Sequence, residues 1–259
     1  VIRNALRELH FGKGAPLHPN PAARLFTFLN AAASESSAKS IRQIFAKLFE
    51  IEGQDTVEFL VHYCKFLQLT VDAETAVRET PGIQNHEKYL EPVRAARAAF
   101  RTLQLDSQYQ EVVSQFGQVQ LARLELVAER LGELGGEEAI PADTLERLLA
   151  EVRKLREVVD SDEGLDRQLR LILSRLLQKM EGAIVDYRIV GPEGIRAAYN
   201  ESIGAVMSNQ DLFKKESQSS SVKRWWKTTQ EIGTAVGVAL KLKELAAPYV
   251  HRLLEAMNN

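Results

Sequence analysis

The feature that most constrains this chain is the period of its apolar residues, which recur three and four positions apart along almost its whole length. In "ADTLERLLAEVRKLREVV" the stripe is Leu145, Leu148, Leu149, Val152, Leu155 and Val159. That spacing places the side chains on one face of a helix. No sustained period-two alternation with β-branched enrichment appears, so the expected fold is all-α, a multi-helix bundle. Apolar residues make up 45% and charged residues 26% of 259 residues, the balance of a globular protein with chain enough for one large helical domain or two smaller units.

Breaks in the periodicity suggest the organisation. Gly132, Gly135, Gly136 and Pro141 form the clearest interruption. An N-terminal helical domain is expected over 1–135, a helical hairpin plus helix over 141–209, a polar linker over 210–221 and a C-terminal amphipathic helix over 222–259. Within the first domain, Asn20 and Pro21 read as a cap and first helical position. Asp55 and Glu58 read as a capping box for a helix burying Val57, Leu60, Val61, Cys64 and Leu67, followed by a short helix from Ala73 to Glu79. Asp106 is expected to cap one long helix carrying Val112, Val113, Phe116, Leu124, Val127 and Leu131. Asp143 and Glu146 read as another capping box. The run "KKESQSSS" reads as polar and mobile.

Cys64 is the one cysteine, which excludes an intramolecular disulfide framework and a cysteine-based zinc site and fits a reducing, cytoplasmic compartment. Its neighbours Tyr63, Phe66 and Leu67 suggest a buried small hydrophobe. "VIRNALRELH" has no long uncharged apolar core of a signal peptide.

Local catalytic signatures are absent. "FGKGAPLHPNP" lacks the Gly-Lys-Ser/Thr of a phosphate-binding loop, and no dinucleotide fingerprint, nucleophile elbow or His-Glu-x-x-His occurs. Glu58 and His62 share a helix face, but no repeated Glu-x-x-His accompanies them, so neither metal nor cofactor is expected. "RNALRELH" places Arg3 and His10 in a spacing that resembles the Arg-x(4 to 6)-His motif of HEPN-type ribonucleases. That resemblance implies phosphate binding by Arg3 and acid–base cleavage by His10. The alternative reading is a surface arginine and a helix-end histidine.

The segment "SSSVKRWWKTTQEIGTAVGVALKLKELAAPYV" admits three readings. The uncharged run from Ile232 to Leu240 is too short to span a bilayer. Val222, Trp225, Ile232, Val236 and Leu240 could instead lie on a membrane surface, with Lys223, Arg224, Lys227 and Lys241 around them. Gly233 and Gly237 form a small-x-x-x-small pair that permits close helix approach. A nucleic-acid contact would use Trp225 and Trp226 for stacking and Lys223, Arg224 and Lys227 for phosphates. From Gln210 to Asn259 there are eight Lys or Arg against five Asp or Glu, an excess of only three, so nucleic acid is disfavoured. Packing against the preceding hairpin or another chain needs no special assumption.

Residues from Leu145 to Ile203, including "AIVDYRIVGPEGIRAAYNESIG", resemble segments of uncharacterised helical proteins of bacterial toxin, immunity and antiphage loci. The resemblance implies an effector or regulator in such a system. The expected activity is therefore non-enzymatic protein–protein interaction or self-association. Trp225, Trp226, Lys223, Arg224, Lys227, Ile232, Gly233, Val236, Gly237 and Leu240 are the candidate contact residues. A membrane-perturbing effector and a HEPN-like ribonuclease are the alternatives.

Overall fold

A computed structural model of the protein describes residues 20–49, 51, 55–101, 105–135 and 139–237. These residues are all-α, with one isolated bridge between Ser40 and Gln108. The chain divides into two compact units: residues 1–139 with 189–191, and residues 140–188 with 192–259.

In the first unit, α1 (Pro21–Ala33) starts as the sequence suggests. The Asn20 side chain accepts from the Ala23 N–H at 2.9 Å and also donates to the Ala128 carbonyl at 2.9 Å, so the cap ties the helix to a distant one. Helix α2 (Ile41–Phe49) is capped by Ser40, whose hydroxyl accepts from the Gln43 N–H at 3.2 Å while the Gln43 side chain accepts from the Ser40 N–H at 3.0 Å. Its first N–H groups donate to a distant loop, Ile41 to the Ser107 carbonyl at 3.0 Å and Arg42 to that of Leu105 at 2.9 Å. Helix α3 (Thr56–Glu79) is capped by Asp55, whose carboxylate accepts from Val57 and Glu58. It runs for 24 residues without the interruption expected before Ala73. Helix α4 (His86–Arg101) holds Pro92 in its interior, buried.

The long helix expected after Asp106 is broken into α5 (Tyr109–Gln115) and α6 (Gln118–Gly135). Phe116 leaves the helical conformation with its ring still buried, and the Gly117 carbonyl starts the next helix. Asp106 does not cap. Gln108 occupies that position and makes no side-chain cap bond.

The first unit's core is aromatic. Phe45 is fully buried, with ring centroids 5.2 Å from Phe28, 5.7 Å from Phe49, 5.5 Å from Tyr63, 4.9 Å from Phe66 and 5.4 Å from Phe100. The Tyr63 hydroxyl donates to the Phe100 carbonyl at 2.9 Å, joining α3 to the last turn of α4. Burial pushes the Tyr63 and Tyr109 phenols up to about 12 from 10.0. The folded chain therefore keeps protons that the unfolded chain releases. Stability is full below pH 10 and falls as pH rises from 10 towards 12. Tyr63→Phe is expected to flatten part of that fall, read as a smaller difference between urea midpoints at about pH 9 and about pH 11.5.

In the second unit, α7 (Ala142–Ser161) and α8 (Arg167–Val185) form the hairpin. Pro141, and not Asp143, occupies the N-cap of α7, and among the described residues the Asp143 carboxylate accepts from the adjacent Thr144 N–H alone. Asp166 caps α8 through Gln168 and Leu169, which holds its carboxyl below the usual range, the Gln168 bond contributing most. Helix α9 (Tyr187–Ser208) is interrupted at Gly191, where φ is +65°. A Cβ there would strike the Arg24 guanidinium, whose Nε donates to the Ile189 carbonyl at 3.2 Å.

The expected linker over 210–221 is folded. Residues Gln210–Lys215 form α10, with Phe213 fully buried, and Ser219 precedes α11 (Ser220–Ala235). Ser221 is buried and hydrogen-bonds the Asp162 carboxylate. Phe213, with Leu212 packed beside the same core and Ser221 bonded to Asp162, ties this polar run down.

Candidate functional site

Helix α3 carries two apolar stripes. One, comprising Phe59, Tyr63, Phe66, Leu69, Ala73 and Val77, is buried in the first unit's core. The other is the stripe the sequence suggested would be buried, and it faces outward. Val57 is 73% exposed, Leu60 42% and Val61 48%, while Cys64 is exposed and Leu67 and Val71 are half-buried. The core takes the larger rings of Phe59, Tyr63 and Phe66, since burying them removes more apolar surface from water than burying valines and a cysteine.

Val57, Leu60, Cys64, Leu67 and Val71 follow one another at alternating steps of three and four, the spacing of a helix–helix seam. Of the other exposed apolar residues, Val119 and Leu126 lie seven apart on α6 and Leu171 lies on α8, and none of them belongs to a series as long as that on α3. Scattered residues of that kind are ordinary surface.

The outward stripe is bordered by charge. On the α4 side a cleft of about 240 Å³ is lined by Cys64, Leu67, Gln68, Thr70, Val71, Arg97 and Arg101. Arg97 reaches Glu74 at 3.3 Å, in a cluster that also brings Arg78 at 2.8 Å and Arg94 at 3.3 Å to the same carboxylate. The hydrogen bond from Arg78 is the main cause holding the Glu74 carboxyl below its usual range. Arg101 is exposed and forms no ion pair with any described residue. On the opposite border lie Glu58, Lys65 and Asp72, of which Asp72 accepts from Gln68 at 2.9 Å.

Of the residues singled out from sequence, Arg3, His10 and Leu240 lie outside the described residues. Trp225 and Trp226 are not surface contacts: they are 0% and 5% exposed, packed in the second unit's core with Phe213, whose ring lies 5.5 Å from Trp225. Ile232 and Val236 are buried with them. Gly233 does bring helices close, though within this unit, since a Cβ there would lie 2.5 Å from the Tyr199 ring. Gly237, with φ +68°, ends the described segment. Lys223 donates to Gln218 at 2.8 Å, and Arg224 and Lys227 reach the surface of α11. The face read as a membrane or base-stacking surface is thus turned inward. A helical wheel assigns residues to faces but does not say which face meets the rest of the chain.

His62 is half-buried with its ring stacked 5.5 Å from Phe49, and Glu58 is exposed. Among the described residues no group of three or more His, Cys, Asp or Glu could hold a metal ion, and no helix is long and apolar enough to cross a membrane. No family model, curated protein or solved structure matches the chain.

Proposed function

We propose that the chain is a protein-binding module that works by covering the outer face of α3 with a partner protein. The supporting observation is the exposed apolar series from Val57 to Val71 on a helix whose opposite face is already buried in a complete core. Covering each such side chain is worth on the order of 1–2 kcal/mol, enough in sum for specific association. The resemblance of residues 145–203 to helical proteins of bacterial toxin, immunity and antiphage loci adds the setting of an effector or regulator to this proposal.

The test is a Leu60→Asp, Val61→Asp double variant. Both positions are exposed, so unfolding free energy should move by no more than about 0.5 kcal/mol per site by urea titration. A photocrosslinker at residue 61 identifies the partner, which is then purified and titrated against both proteins. We expect the variant to lose about 100-fold or more in affinity. Unchanged affinity in a folded variant would remove α3 as the binding face.

A further inference from the structure

Building on the reading of α3 as a binding face, we propose that its occupant is an amphipathic helix of a partner protein, edged by carboxylates one turn apart that meet Arg97 and Arg101. The alternating three–four spacing from Val57 to Val71 describes a seam about 21 Å long. A partner helix with the same period sets its side chains between those of α3, whereas an extended strand repeats every two residues and falls out of register within a turn.

Charge then selects among helices. Arg97 and Arg101 are one turn apart on α4 and share the cleft with Cys64, Leu67 and Val71. A guanidinium at the border of an apolar seam is strengthened by a carboxylate that approaches in its plane, and Arg101 has no such partner among the described residues. The complementary surface therefore carries Asp or Glu at positions i and i+4 beside its apolar stripe. A second copy of α3 does not: its own border residues Glu58, Lys65 and Asp72 are two turns apart and alternate in sign.

The probes are two fluorescent synthetic peptides of about three heptads, apolar at the seam positions, one with Glu and the other with Lys at the flanks. Anisotropy titrations use the full chain. We expect the Glu peptide to bind about tenfold more tightly at low salt, with the difference shrinking as salt is raised. Arg101→Glu should erase most of that preference, and Leu60→Asp should weaken both peptides.

Equal binding of the two peptides, indifference to Arg101→Glu, or binding of neither peptide by folded protein would overturn the assignment. So would self-association by sedimentation that Leu60→Asp abolishes, or binding to phosphatidylcholine–phosphatidylglycerol vesicles that it abolishes. If the peptides fail while the crosslinked partner still loses affinity for the Leu60→Asp, Val61→Asp variant, the α3 face stands and only the acidic-helix assignment falls.

Discussion

Phe45→Ala is expected to cost about 3–5 kcal/mol, measured by urea denaturation followed by far-UV circular dichroism. The ring is fully buried and lies within 6 Å, centroid to centroid, of five other aromatic rings drawn from α1, α2, α3 and α4. Truncating it removes the transfer energy of a phenyl group and leaves a hole lined by rings on four helices. Rings are rigid, so they fill such a hole poorly. The loss should sit near the upper end of the range, and Phe45→Leu, which refills part of the volume, should cost less than half as much. A cost below about 1 kcal/mol for the alanine variant would mean that the aromatic cluster repacks freely.

Trp225→Ala is expected to have an effect of similar size, about 3–5 kcal/mol, on the second unit. Trp225 is fully buried, with the Phe213 ring 5.5 Å and the Trp226 ring 6.0 Å away. Both indole N–H groups are buried and have no acceptor among the described residues. An unmet buried donor costs about 1–3 kcal/mol, which offsets part of the packing gain. Trp225→Phe therefore tests the balance: it loses ring volume and also the orphaned donor, and should cost no more than about 1–2 kcal/mol. Hydrogen exchange across residues 220–235 supplies the local readout. In Trp225→Ala, protection there should collapse before that of α7 and α8. The same exchange measurement on the unaltered chain bears on the expected mobility of the 210–221 run, since Phe213 and Ser221 are buried and should be protected.

How much was legible in advance depends on which physical quantity each residue pattern encodes. Period encodes helicity, so α1, α2, α7 and α8 could be placed from their stripes, and the Asn20 and Asp55 side chains cap helices as their positions suggest, whereas the Asp166 cap is not among the sequence expectations. Period does not encode which of two apolar faces is covered. On α3 both faces repeat at three and four, and the outcome turns on ring size, which a stripe of letters weighs equally. Trp225 and Trp226 are adjacent and point about 100° apart, so a single stripe admits only one of them. Both are buried because α11 is covered on more than one side, by α7, by Phe213 and by Tyr199 of α9. Composition misled at 210–221, where serines and lysines outnumber Phe213 but do not outweigh it. The candidate site itself was visible only as a list of residues assigned to the core. Arg97 and Arg101 had no signal in the linear chain, because their nearness to Cys64 and Val71 arises from the pairing of α3 with α4.

The grouping of residues 189–191 with the first unit has a consequence for how the protein is made. Ile189 is buried in that unit's core, and its carbonyl receives the Arg24 bond. A nascent chain that has just emerged through Ala139 holds the residues of α1 to α6, yet it still lacks the Ile189 and Val190 side chains of that core and one acceptor. About 50 further residues must be added first, several seconds of synthesis at about 5–20 residues per second. During that interval the first unit's core is short of these residues, and its completion waits on the synthesis of both α7 and α8.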